Sequence, residues 1–315
     1  KLADVEGVYY STSPDFSQEQ QAQRQADGSY QFTVAAADWS GSYYIRAKST
    51  AGVASAASTV ALKMDVTEPT VDAVQSDASG WTNRDITLTI TVSDDDAAVN
   101  SGVDRVYVYV DNFWGNPQQH EAVKTGENTY QYTVRRGLLS FRDKEYHIRA
   151  VDAAGNLSAC WDGTASIDVE SPEITGEIQI GVAEGTLQVQ EDGVYTNRPV
   201  QVTVAAQDEE NGSGVASIAL YRREGGSYVE LSPAQAVDED GRAVFIIPQE
   251  ELAAGALAFQ GVIYARVMDN AGNLSDYQAS VRDPGGYGPL RFHCAGGGAG
   301  LDPYPGWAGI RLLSK

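Results

Sequence analysis

The side chains best suited to chemistry in this sequence are carboxylates that recur at matching places. Asp94-Asp95-Asp96 and Asp208-Glu209-Glu210 each stand shortly before a Ser-Gly-Val sequence, Ser101-Gly102-Val103 and Ser213-Gly214-Val215. Farther along, Asp152-Ala153-Ala154-Gly155-Asn156 and Asp269-Asn270-Ala271-Gly272-Asn273 repeat one another. Oxygen-rich loops of this kind suit a hard cation such as calcium, which takes roughly six to eight oxygen ligands. Two plainer readings compete and are favoured. Short acidic loops are ordinarily solvated, and an Asp that opens a turn accepts backbone N–H groups while Gly adopts the positive φ that reverses the chain. In the first copy of the turn, Ser49-Thr50-Ala51-Gly52-Val53, the Asp and Asn are gone and the Gly remains, which favours turn chemistry. The sequence therefore assigns no metal ligand and no cofactor, and leaves calcium as the alternative.

Aromatic side chains supply a second kind of candidate. Phe113 and Trp114, within Asn112-Phe113-Trp114-Gly115-Asn116-Pro117, interrupt a strand-like region. An exposed indole there would stack on the flat face of a sugar or a protein partner; the alternative is that it folds back over the core. Phe113 and Trp114 are the candidate binding residues. Histidine offers little, because only His120, His147 and His293 are present, and His147 stands where Tyr44 and Tyr264 stand in the repeats, so strand packing is its expected role. No GxSxG elbow, P-loop, HExxH or CxxC pair occurs, so no catalytic residue is assigned and an enzyme is not expected. Cys160 and Cys294 lie in different segments, too few for a bridge in every domain.

These residues must be held by something, and the sequence shows what. The 315 residues suit several cores rather than one. A formal charge of −21 repels phosphate backbones and anionic lipid, which argues against nucleic acid as a partner. No apolar run approaches the roughly 20 residues that span a bilayer, so membrane insertion is not expected in this stretch.

Three stretches align. Tyr43-Tyr44-Ile45-Arg46-Ala47 matches Tyr146-His147-Ile148-Arg149-Ala150 and Ile263-Tyr264-Ala265-Arg266-Val267, each with Gly52, Gly155 or Gly272 downstream of the arginine. Upstream blocks align in the same order, Gly28 to Val34, Asn128 to Val134 and Gly241 to Ile247. Thr82-Asn83-Arg84 and Thr196-Asn197-Arg198 open the second and third copies only, so the first copy is expected to be truncated. Ile86, Leu88, Ile90 and Val92 alternate with Thr87, Thr89 and Thr91, and Val106, Val108 and Val110 alternate with Tyr107 and Tyr109, the period-two pattern of half-buried strands. Gln18 to Ala26 is helix-permissive but polar, and helix is marginal throughout. Asp65-Val66-Thr67-Glu68-Pro69 and Asp168-Val169-Glu170-Ser171-Pro172 form equivalent junctions, where proline breaks the ladder. The expected divisions are a partial domain at 1–65, domains at 66–168 and 169–283, and a Gly/Pro-rich irregular tail at 284–315, a weakly ordered stretch or a partial further module.

The run from Tyr146 to Asn156, together with the acid-plus-Pro junctions, resembles the bacterial Ig-like repeat domains of large secreted and cell-surface proteins. The resemblance covers residues 1–283. It implies an all-β chain of tandem immunoglobulin-like antiparallel β-sandwiches, the first truncated. It further implies a non-catalytic role as spacer or adhesive segment, located outside the cell or on its surface, with an extracellular protein or glycan as partner. The alternative is an accessory, carbohydrate-associated segment of a large secreted glycoside hydrolase. Residues near Gly115 to Thr125, Gly137 to Lys144 and Leu252 to Gly261 read as insertions beyond a compact member.

Overall fold

The computed structural model describes residues 4–94, 99–111, 117–182, 188–190, 193–196, 200–247, 263–279, 291–294 and 310–313. Every regular element among them is a β-strand. The chain forms two compact units, one of Lys1–Asp77, Thr87–Thr133 and Glu145–Thr164, the other of Ala78–Ile86, Val134–Lys144 and Ala165–Lys315.

The first unit begins with an antiparallel sheet in the order Gln20–Gln21, Val5–Ser11, Trp39–Ser49, Ser58–Met64. Its side chains are mostly half-buried, and rings do much of the packing: Tyr10 stacks on Phe32 at 3.9 Å and Trp39 tilts against Tyr43 at 5.0 Å. The repeated arginine has a local use here. Arg46 lies 3.9 Å over the Phe16 ring and pairs with Glu19 at 2.6 Å, while Lys48 pairs with the same carboxylate.

Two further sheets follow in this unit. One runs Val123–Lys124, Thr129–Val134, Ile86–Ser93, Thr70–Ser76, and the other Pro117–Glu121, Val103–Asp111, Phe141–Asp152, Trp161–Ile167. Alternation decides which side chains go inside. Leu88, Ile90, Val92, Val106 and Val108 are fully buried, while Tyr107 and Tyr109 occupy the half-exposed face. The Tyr130 hydroxyl reaches the Val103 carbonyl at 3.5 Å, from one sheet to the other.

The described part of the stretch from Gly115 to Thr125, which reads as an insertion, contains regular strand. Pro117–Glu121 pairs with Val103–Asp111, then Val123–Lys124 pairs with Thr129–Val134 in the other sheet. The changeover residue is Ala122, 5% exposed, whose N–H donates to the Val106 carbonyl at 2.8 Å. Ala22 does the same in the first copy, donating to Val8 at 2.8 Å between Gln20–Gln21 and Gln23–Arg24. The helix-permissive stretch from Gln18 to Ala26 is thus short strand, because its polar side chains can face water from either sheet edge.

The second unit contains a complete two-layer core. In one layer Val200–Gln207 pairs with Glu173–Ile174, Gln179–Val182 and Arg242–Ile247; the other runs Ser227–Ala236, Val215–Glu224, Tyr264–Asp269, Gln278–Ala279. Val202, Val204 and Phe245 from the first layer join Ile218, Leu220, Ala265 and Val267 from the second in one buried cluster. In chain order the strands Glu173–Ile174, Gln179–Val182 and Val200–Gln207 lie in the first layer, Val215–Glu224 and Ser227–Ala236 in the second, Arg242–Ile247 back in the first, and Tyr264–Asp269 and Gln278–Ala279 in the second, crossovers of the kind found in an immunoglobulin-like sandwich. Trp81–Thr82 pairs in parallel with the end of Trp161–Ile167, and a further sheet joins Gln188–Gln190, Gly193–Thr196, Ile310–Leu313 and Arg291–Cys294. The chain is all-β and built from tandem immunoglobulin-like sandwiches.

Candidate functional site

The repeated carboxylates noted separately in the sequence meet in space. Asp65 follows the strand Ser58–Met64, Asp94 follows Ile86–Ser93, and Asp152 ends Phe141–Asp152; one oxygen from each lies within 4.8 Å of the others. In the second unit Asp168, Asp208 and Asp269 occupy the equivalent positions and meet the same distance limit.

Backbone geometry builds each triad. The Asp152 carboxylate accepts the Gly155 N–H at 2.6 Å, the Asn156 N–H at 2.8 Å and the Asn156 amide at 2.7 Å. Gly155 makes this turn possible at φ 96°, a conformation that costs other residues energy. Asn156 also donates to the Asp65 carbonyl at 3.1 Å, fastening the turn to the connecting segment. Ser101 N–H donates to Asp65 Oδ2 at 2.6 Å and Gly102 N–H to Asp94 Oδ2 at 2.7 Å. The second triad repeats the pattern: Asn273 reaches the Asp168 carbonyl at 3.0 Å, Ser213 N–H reaches Asp168 Oδ2 at 2.6 Å and Gly214 N–H reaches Asp208 Oδ2 at 2.7 Å. Gly212 leaves room for it, since a Cβ there would lie 2.6 Å from Asp208 Oδ2.

One oxygen in each triad is left over. Asp94 Oδ1 and Asp208 Oδ1 are buried and have no hydrogen-bond partner. Asp94 is only 6% exposed, and Asp152, Asp168 and Asp269 are 2% exposed or less. Burial pushes the Asp94 carboxyl above its usual range, the Gly102 hydrogen bond opposes that, and the charges of Asp65 and Asp152 add to it. Asp208 is raised in the same way by burial and by Asp168 and Asp269.

The solvated-loop reading therefore fails at Asp94, whereas it holds for exposed Glu209 and Glu210. Asp95 and Asp96 lie outside the described residues. The turn reading is correct for Asp152 and Asp269 but incomplete, because the same carboxylates also face two others. In the first copy Ser49 Oγ accepts the Val53 N–H at 3.2 Å, so the turn forms there without a carboxylate. The serine that follows each turn has a structural role: Ser158 and Ser275 accept the N–H groups of Ala150 and Val267 at 2.9 and 3.0 Å, as Ser55 does for Ala47 at 3.0 Å.

Phe113 and Trp114 lie outside the described residues. His147 is half-exposed on its strand with Nδ1 2.6 Å from Asp162 Oδ1, and Cys160 Sγ donates to the same oxygen at 3.1 Å. The His147 hydrogen bond holds Asp162 below the ordinary carboxylate range, and burial followed by the Asp162 contact raises the Cys160 thiol. This exposed group is satisfied internally, unlike the two triads.

No family model matches the chain. It is similar to Exoglucanase B of Cellulomonas fimi, with 27% identity over 259 residues, covering 81% of this chain and 20% of that protein. The chain thus spans about a fifth of that relative's length. Among solved structures it is similar to a tetra-tandem repeat in the extending region of a large adhesion protein (17% identity, TM-score 0.29, 88% of this chain and 66% of that one). It is also similar to the fibronectin(III)-like modules of Clostridium thermocellum CbhA (12% identity, TM-score 0.31, 67% of this chain and 91% of that one).

Proposed function

We propose that the chain is a non-catalytic run of immunoglobulin-like modules at 1–65, 66–168 and 169–283, belonging to a bacterial secreted or cell-surface protein in which it spaces or attaches a more specialised region. The observation that carries this reading is the fastening of both connecting segments in the same way. Asn156 donates to the Asp65 carbonyl at 3.1 Å and Asn273 to the Asp168 carbonyl at 3.0 Å, so each junction is held by the turn of the repeat that follows it. A flexible tether has no use for such bonds, whereas a spacer depends on them. No helix among the described residues is long and apolar enough to cross a membrane.

Similarity to Exoglucanase B favours a second reading, in which these are accessory modules of a secreted glycoside hydrolase and Phe113 and Trp114 touch a glycan. Affinity electrophoresis of the chain and of Trp114→Ala in gels containing cellulose derivatives, xylan or chitin derivatives separates the two. Unretarded migration in every gel supports the spacer; retardation abolished by Trp114→Ala supports the accessory module. Release of reducing sugar by the chain alone overturns the non-catalytic reading.

A further inference from the structure

We propose that each aspartate triad, Asp65–Asp94–Asp152 and Asp168–Asp208–Asp269, binds one calcium ion beside the segment connecting consecutive repeats. The donor set is oxygen alone, which suits a hard cation rather than zinc or copper. Calcium holds oxygens at roughly 2.3–2.6 Å, so donors on opposite sides of the ion are separated by roughly 4.6–5.2 Å. The oxygens of each triad lie within 4.8 Å of one another, a spread that matches donors around one such ion. Magnesium needs a tighter octahedron and usually keeps most of its waters, taking only one or two carboxylates.

The strongest indication is independent of acidity. Asp94 is 6% exposed, its Oδ2 is engaged by Gly102 at 2.7 Å, and its Oδ1 is buried with no donor, in a carboxylate that has two more beside it. A buried carboxylate oxygen ordinarily finds an N–H, O–H or cation. The structure repeats the same orphan at Asp208 Oδ1, with the same Gly N–H on the other oxygen at 2.7 Å. Two copies with different neighbouring sequences reproduce the same unmet requirement.

The remaining bonds leave capacity for an ion. An oxygen that accepts one N–H keeps a second lone pair, so the triad can offer its orphan oxygen together with oxygens of the two partner carboxylates. Waters would complete the shell. The backbone N–H groups already in place hold the carboxylates convergent, a preorganisation that lowers the cost of assembling the site. The spacer reading and this assignment stand separately, because a glycan-binding segment could carry the same ions.

The test is isothermal titration of the full 315-residue chain, stripped with EDTA and dialysed, with calcium chloride alone, alongside Asp94→Asn, Asp208→Asn and the double variant. The expected result is two bound ions in the wild type, one in each single variant and none in the double variant, with magnesium at least tenfold weaker. Because a variant that fails to fold would also lose binding, circular dichroism and melting in EDTA accompany each titration. Folded variants that retain both ions overturn the proposal. So does a wild type that shows neither heat nor a rise in melting midpoint at millimolar calcium. Equal affinity for magnesium overturns the assignment to calcium.

Discussion

Replacing Asp94 with Asn should reverse its effect on stability according to whether calcium is present. Within the triad no two ligand oxygens are farther apart than 4.8 Å, and at an effective dielectric of about 20 two unit charges at that distance repel by about 3.5 kcal/mol. Asp94 faces two such partners, but nearby N–H groups and proton uptake absorb much of the repulsion, so the net relief on neutralising it is about 1–3 kcal/mol. Asn keeps an oxygen for the Gly102 N–H and places an amide donor where Asp94 Oδ1 has none. In EDTA the variant should therefore melt about 4–8 °C higher per kcal/mol for the affected domain. In calcium the wild type should gain about 4.1 kcal/mol at this triad at a roughly thousandfold excess over Kd, more than the relief, while the variant gains nothing there. Differential scanning calorimetry in both buffers reads the inversion, with Asp208→Asn identifying which transition belongs to which triad. A variant equally destabilised in both buffers would refute the reasoning, leaving Asp94 as merely an acceptor for Gly102.

Gly212→Ala should displace the Asp208 carboxylate, which its Cβ would approach to 2.6 Å, at a cost of about 1–3 kcal/mol; titration should show loss of the second calcium with the first retained. Phe245→Ala, at a site with no exposure, should cost about 3–5 kcal/mol in urea unfolding. Hydrogen bonds from Lys48 and then Arg46 hold Glu19 below its ordinary value of 4.5. The stability it contributes is present above that value and is lost as pH falls through the lowered one. Carbon-detected NMR titration should give the lowered midpoint, and Glu19→Gln should flatten the acid limb of the first sheet's stability.

The strands were legible because their signal is local. Alternation from Ile86 to Val92 sets which side chains turn inward, and the three aligned copies repeat that decision. Turns announced themselves through Gly155 and Gly272, both at positive φ. The sheet switch at Ala22 and Ala122 left no such mark, since a small buried residue donating one backbone bond resembles any other alanine. The triads were harder still. Asp65, Asp94 and Asp152 each have an ordinary local explanation as junction, loop and turn residues, and only the folding of three distant segments onto one point gives them a joint one. Of the acids in Asp208-Glu209-Glu210, sequence cannot distinguish the one turned inward, because that depends on the distant Gly214 N–H that meets Asp208.

Anomalous diffraction from crystals grown with calcium tests the central claim most directly. The expected result is one calcium peak in each triad, roughly 2.3–2.6 Å from Asp94 Oδ1 and from Asp208 Oδ1. Maps without a peak at either place, with those oxygens turned onto N–H donors, would contradict it.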